Sequence, residues 1–348
     1  MRKTWDWLLF VQILAVGTIS LLIISSISKS LAVNQLIFWV LGLVIFYIFT
    51  QFDYLSWKNL AIPIYVGSLI LLLALLVMGT PVRGSVRWID VGFFRIQPSE
   101  IAKAASIIIL SAYYSVRPAS NLKNLFGGLI IVAPAAVLVL IQPDIGNSLA
   151  FLGIWLGIAT AAGFKLKHML SLALIGTIAI FLLFELLAPY QKQRIESFLN
   201  PGSDPLGTGY NIIQSKIAVG SGGFLGKGYS RGSQSQLKFL PEAESDFMFA
   251  SIAEQLGFLG AGLLIAVFSW MIIRILGIAK NRDKFAQLLI VGVASFLILQ
   301  FLVNVGMNMG ILPVTGITFP MVSYGGSSLL TTLFLLGLVF SVSQKSTY

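Results

Sequence analysis

Apolar runs as long as a bilayer is thick recur along the whole chain, and they constrain everything else about it. A helix needs roughly 20 apolar residues to cross the hydrocarbon layer. Runs of that order lie near 7–27, 34–51, 60–79, 98–115, 126–141, 147–163, 168–188, 246–277, 285–309 and 327–343. A soluble surface for 348 residues needs far more polar groups than a 10% charged content supplies. The expected fold is an all-α polytopic membrane protein of about ten transmembrane helices. It reads as one transmembrane domain over 1–348: seven spans to 188, a large polar loop over 189–245, and three spans from 246.

The first run follows Met-Arg-Lys, as a secretory signal would. No small-residue cleavage site is clear and a second span follows closely, so a retained first helix is expected. The chain has no Cys, which excludes disulfides and thiolate metal sites. A net charge of +10 would point to nucleic acid in a soluble protein. Here it fits loops that obey the positive-inside rule, and no nucleic-acid partner is expected.

An even number of spans puts both termini on one side. With the N-terminus inside, inner segments carry Arg2, Lys3, Lys58, Arg117, Lys123, Lys165, Lys167, Arg274, Lys280, Arg282, Lys284 and Lys345. Short outer loops carry Lys29, Arg83, Arg87, Arg95 and Lys103. Long loops translocate largely regardless of charge and do not count. The bias places both termini in the cytoplasm and 189–245 outside. Within that loop, IIQSKIAVGSGGFLG suggests a short amphipathic helix lying on the membrane, then a glycine turn. Connections of this length are usually functional or disordered.

Ionisable groups at membrane depth are expensive and usually face a protein interior or a wet cavity. Four places stand out. Glu100 and Lys103 open the fourth span three residues apart, close enough to pair on one helix face. Asp144 lies between the helix breakers Pro143 and Gly146. Asp246 begins the eighth span, and Glu254 follows two turns deeper. Each has a structural reading: a pinned ion pair, or an N-cap. All four fall on one side and coincide with helix breakers, which is how membrane proteins build irregular cavities. Outer cations such as Arg87, Lys103, Arg194 and Lys216 would suit an anionic, lipid-linked substrate, Arg being matched to phosphate by its planar fork. Trp88 reads as an interfacial belt residue or a sugar-stacking platform. His168 sits in a predicted cytoplasmic loop, where solvated surface is the default. The uncharged stretch NVGMNMGILPVTGITFPMVSYGGSS, with Ser323 and Tyr324, suggests an ordered, re-entrant loop. With no nucleotide-binding loop, energy must come from the substrate or a gradient.

Five segments in order resemble the SEDS family (shape, elongation, division and sporulation): QPSE at 97–100, QPDIG at 142–146, DPLGTGYNIIQSKIAVGSGGFLGKG at 204–228, LPEAESDFMFASIAEQLG at 240–257 and GILPVTGITFPMVSYGGSS at 310–328. The likeness covers nearly the whole length. GSQSQLKFLPE at 232–242 is similar to the RodA branch rather than the division branch. The resemblance implies a peptidoglycan glycosyltransferase that polymerises lipid II, a disaccharide-pentapeptide on undecaprenyl pyrophosphate. It implies a class B penicillin-binding protein and other elongation-complex membrane proteins as partners, in the bacterial cytoplasmic membrane. It carries the family's essential carboxylate onto Asp246, as general base of an inverting transfer. The family's tryptophan, QPSE glutamate, following lysine and QPD aspartate fall on Trp88, Glu100, Lys103 and Asp144.

Two departures stand beside this. Glu244 and Ser245 replace the family's usual His-Thr, and Glu254-Gln255 replaces a frequent glutamate pair. The added carboxylate makes the local potential more negative, which would either alter the proton affinity of Asp246 or attract a divalent cation, magnesium or manganese; nothing calls for an organic cofactor. The competing functions are a lipid II flippase, a division or sporulation paralogue, and a non-catalytic scaffold.

Overall fold

The computed structural model describes residues 5–78, 87–90, 92, 95–165 and 189–344. The chain runs α1 (Trp7–Ile27), α2 (Lys29–Gln51), a short α3 (Tyr54–Asn59) and α4 (Ala61–Met78). A ribbon of β1 (Ile89–Asp90) and β2 (Arg95–Ile96) precedes α5 (Pro98–Val116), α6 (Leu122–Ile141) and α7 (Ile145–Ala161). Then come α8 (Pro189–Leu199), a 3-10 turn at Pro201–Ser203, α9 (Tyr210–Ser221) and α10 (Ser233–Gln236). The last three helices are α11 (Met248–Ile278), α12 (Lys284–Asn308) and α13 (Gly326–Gln344). Nine of the ten expected spans are helices among the described residues; the seventh, 168–188, lies outside them, as do Arg83 and His168.

Helix boundaries follow local chemistry. The second span starts at Lys29, not 34, because Ser28 serves both neighbours. Its N–H closes α1 on Ile24 O at 2.8 Å, and its hydroxyl accepts from Leu31 N–H at 3.4 Å. The sixth span starts at Ile145 because Asp144 caps it, Oδ1 accepting from Asn147 N–H at 3.3 Å. Burial separates centre from rim: the apolar windows of α13 and α12 are 78% and 61% buried, against 22% for α2. The central helices α5, α7, α12 and α13 pack on one another.

Helix α11 is not continuous. Gly257 has φ 66° and ψ −166°, so the ladder opens there. The break strands the carbonyls of Glu254 and Gln255 and the amides of Phe258 and Leu259, and lipid offers them nothing. The glycine-rich stretch after α9 takes all four. Lys227 N–H and Gly228 N–H donate to Glu254 O and Gln255 O, both at 3.0 Å. Phe258 N–H and Leu259 N–H donate to Gly223 O at 2.9 Å and Phe224 O at 3.2 Å. A Cβ on Gly257 would lie 2.6 Å from Phe224 O, so space and φ both require glycine.

The helix expected in IIQSKIAVGSGGFLG is α9, followed by the expected glycine turn. Its buried residues Ile212, Ser215 and Ala218 turn toward the bundle, and Ser215 Oγ donates to Asn308 O at 2.7 Å. It packs on the ends of α11 and α12.

Candidate active site

Arg87, Glu100, Lys103, Asp144 and Asp246 gather at the end of the bundle that bears the large loop, in two clusters. The first is buried. Lys103 Nζ donates to Glu100 Oε1 at 2.7 Å and to Asn147 Oδ1 at 2.8 Å. Asn147 Nδ2 donates to Asp144 Oδ2 at 2.9 Å. Arg87 Nε stands 3.8 Å from the same oxygen, and its guanidinium donates to Pro143 O. Lys103 is 0% exposed and also lies over the Phe296 ring, 5.3 Å from its centroid. Glu100 Oε2 is buried without a hydrogen-bond partner among the described residues. Arg87 retains partial exposure, as does neighbouring Trp88. The β ribbon beyond them is tied to α13: Ser327 Oγ donates to Arg95 O at 2.9 Å. In the ribbon's turn, Gly92 N–H and then Arg95 hold the Asp90 carboxyl below the usual carboxylate range.

The second cluster surrounds Asp246. Phe247, not Asp246, occupies the N-cap of α11, and its own side chain makes no capping hydrogen bond. The N-cap explanation therefore holds for Asp144 and fails for Asp246, which is partly exposed. Its carbonyl oxygen accepts from Asn304 Nδ2 and Asn308 Nδ2, each at 3.0 Å. Gly316, at φ +75°, approaches its side chain: a Cβ there would lie 3.6 Å from Asp246 Oδ2.

The loop after α12 walls this site. Phe319 packs against the stacked rings of Phe268 and Phe301, with centroids 5.1 and 5.4 Å away. Ser323 is buried and its hydroxyl is engaged twice, donating to Ser245 O at 2.6 Å and accepting from Phe319 N–H at 2.9 Å. Tyr324 N–H donates to Glu244 O at 2.7 Å, while its ring stays partly exposed. The same loop joins the clusters. A Cβ on Gly146 would lie 2.8 Å from Thr315 Cβ, on the Asp144 side, while Gly316 faces Asp246.

The remaining acids separate by role. Glu254 is fully buried and anchors the large loop: it accepts from Lys227 Nζ and Gln234 N–H at 2.9 Å, Ser235 N–H at 3.2 Å and Ser235 Oγ at 3.1 Å. Glu242 and Glu244 line a cavity of about 240 Å³ with Lys238, Ser28 and Leu31. Among the described residues no three His, Cys, Asp or Glu side chains converge as a metal site. Lys216 is exposed on α9 with its stem against Gly310. The Arg194 side chain lies outside the described residues. Sequence reasoning missed Asn147, Asn304, Asn308 and Gln35, the last donating to Ser323 O at 3.2 Å. The available signal was amides inside apolar runs, at four-residue spacing in Gln300, Asn304 and Asn308.

Residues 3–348 match the FtsW/RodA/SpoVE family model, described as cell cycle protein. The chain is 40% identical to peptidoglycan glycosyltransferase MrdB of Escherichia coli, over 87% of this chain and 82% of that one. It is 37% identical to stage V sporulation protein E of Bacillus subtilis, over 91% and 88%. Among solved structures it resembles a chain from work on polymerization and crosslinking by a peptidoglycan synthase complex, at TM-score 0.85, 30% identity and 98% coverage of both. It also resembles the rod shape determining protein RodA of Thermus thermophilus, at TM-score 0.74 and 26% identity, covering 98% of this chain and 97% of that one.

Proposed function

The chain belongs to the FtsW/RodA/SpoVE family, and from that premise we infer that it is a peptidoglycan glycosyltransferase of the RodA kind, polymerising lipid II with Asp246 as general base. One observation carries the catalytic assignment: a partly exposed carboxylate stands at the head of a broken helix, is not used as a cap, and has its main chain held from behind. Chain extension needs a base to take the proton of the acceptor hydroxyl and cations to meet the departing pyrophosphate. In the proposed step the acceptor oxygen attacks the anomeric carbon. Its proton passes to Asp246, the bond to the phosphate oxygen breaks with its electron pair, and the new linkage is inverted.

Of the four cations expected to meet the pyrophosphate, Arg87 and Lys216 are the two whose described side chains keep some exposure. Lys103 and Ser323 act indirectly in this proposal, since the one is wholly buried and the other has its hydroxyl committed. The alternative role for Asp246 is to hold a divalent cation together with the substrate's own phosphates, supplying charge neutralisation there instead of proton transfer; among the described residues no three ligating side chains converge. The loop-bearing end faces away from the cytoplasm, and the protein works in the bacterial cytoplasmic membrane beside a class B penicillin-binding protein. The lipid-facing side of α11 and α12 receives that partner's transmembrane helix.

The test is incubation of purified protein with labelled lipid II, with and without the transpeptidase. Polymer that rises with partner supports the proposal; transbilayer movement of lipid II without polymer would replace it with the flippase reading. Equal polymer yields with and without saturating partner would remove the partner claim alone.

A further inference from the structure

Helix α12 carries three amides on one stripe, Gln300, Asn304 and Asn308, all buried. Two of them meet the main chain of Asp246. Asn304 Nδ2 spends one hydrogen on Asp246 O at 3.0 Å and the other on Ile317 O at 2.8 Å. Asn308 Nδ2 donates to the same Asp246 O at 3.0 Å and to Asn304 O at 2.8 Å. Asn308 Oδ1 accepts from Ala250 N–H at 2.9 Å, one of the free amides in the first turn of α11. Each amide therefore ties the residue before the helix to a different neighbour: Asn304 to the 315–317 wall, Asn308 to the helix that follows.

A carbonyl oxygen has two lone pairs, and here both have fixed donors. That sets the peptide plane after Asp246, at the junction between a loop and a helix whose N-cap residue, Phe247, offers no side-chain acceptor. With the plane set and Gly316 in front of the side chain, two groups that hold only the main chain help to set the direction of the carboxylate. Burial matters, because an amide with no water to turn to keeps the partner it has.

We propose that Asn304 and Asn308 form an amide clamp and are positioning residues for Asp246, holding its carboxylate in the direction that the transfer needs. This rests on Asp246 being the base, so the test must separate the two ideas.

The chain contains no Cys, so Asp246→Cys gives a single thiol at the position, whose reaction rate with a membrane-impermeant methanethiosulfonate reports its orientation without any catalysis. Adding Asn304→Leu should change that rate at least about fivefold. On the catalytic background, Asn304→Leu should cut kcat by about 100-fold, the usual consequence of a misplacement near 1 Å, with KM for lipid II within about threefold. Combined with Asp246→Asn, it should cost nothing more. An Asp246→Asn enzyme that stays active removes the base and leaves the clamp to the thiol rate. An unchanged thiol rate overturns the clamp, as does multiplication of the two losses. Where Asn304→Leu does not accumulate, Asn308→Leu is judged by the same criteria.

Discussion

Lys103 and Glu100 form an ion pair 2.7 Å long with no measurable access to the surface for the lysine. The pair is not isolated. Asn147 links it to Asp144, and Asp144 to Arg87, so one chain of contacts runs from the centre of the bundle to the partly exposed guanidinium. Removing one member of a buried pair costs more than removing both, because the survivor is left as an unpaired charge. Lys103→Met should destabilise the protein by about 3–5 kcal/mol. Adding Glu100→Gln should recover most of that in a detergent melting experiment. Equal losses in the single and double variants would mean that the pair is solvated after all.

Asp246→Asn separates the base from the cap. Asn caps about as well as Asp, and Asp246 is not the cap here. The variant should fold and bind lipid II normally while polymerisation falls by roughly 10²–10⁴-fold, the usual contribution of a positioned base. Near-normal glycan synthesis without added metal refutes the assignment; partial rescue by excess magnesium or manganese would point instead to a cation held there.

The large loop should detach when Glu254 is changed. Its carboxylate gathers one ammonium and several N–H and O–H donors of residues 227–235. Glu254→Gln loses the charge-assisted bond to Lys227, worth roughly 1.5–3 kcal/mol. Limited proteolysis between 222 and 240 should accelerate by about 10- to 150-fold if docking is the protective step. Gly257→Ala should do more damage, since its Cβ meets backbone rather than a flexible side chain. Unchanged cleavage in both variants would show that the loop is held elsewhere.

Arg87→Ala should weaken lipid II binding by roughly 10- to 150-fold, the range for a hydrogen bond to a charged group. Lys216→Ala should act in the same direction. Lys123, exposed at the opposite end of the bundle, is the control and should change nothing when replaced. If neither Arg87 nor Lys216 alters binding or rate, the pyrophosphate is held by other groups.

Single cysteines at Ser203 and Ser120 test the orientation, because both positions are exposed and lie at opposite ends of the bundle. Ser203→Cys should react with an impermeant reagent in intact cells and Ser120→Cys should not. The reverse pattern inverts the topology and moves the site to the cytoplasmic face.

The order and approximate bounds of nine of the ten expected spans were legible in the linear chain, because the cost of exposing polar groups to lipid falls residue by residue and leaves runs of apolar letters. The QPSE pair was legible for the same reason: Glu and Lys three apart on a helix must share a face. Charge is so scarce in these runs that Asp144, Asp246 and Glu254 announced themselves as well. Their roles did not. Asp144 is a cap, Glu254 is the anchor of a distant loop, and Asp246 is neither, yet all three are acids beside helix breakers. What separates them is which donors come within about 3 Å, and those donors lie up to dozens of residues away: Asn304 and Asn308 at the main-chain oxygen of Asp246, Lys227 and Gln234 at the carboxylate of Glu254. The break at Gly257 shows the same division. A glycine in a span signals only permission to bend; the bend exists because residues 223–228 arrive to satisfy the four backbone groups it exposes, and that arrival is a property of the packed bundle.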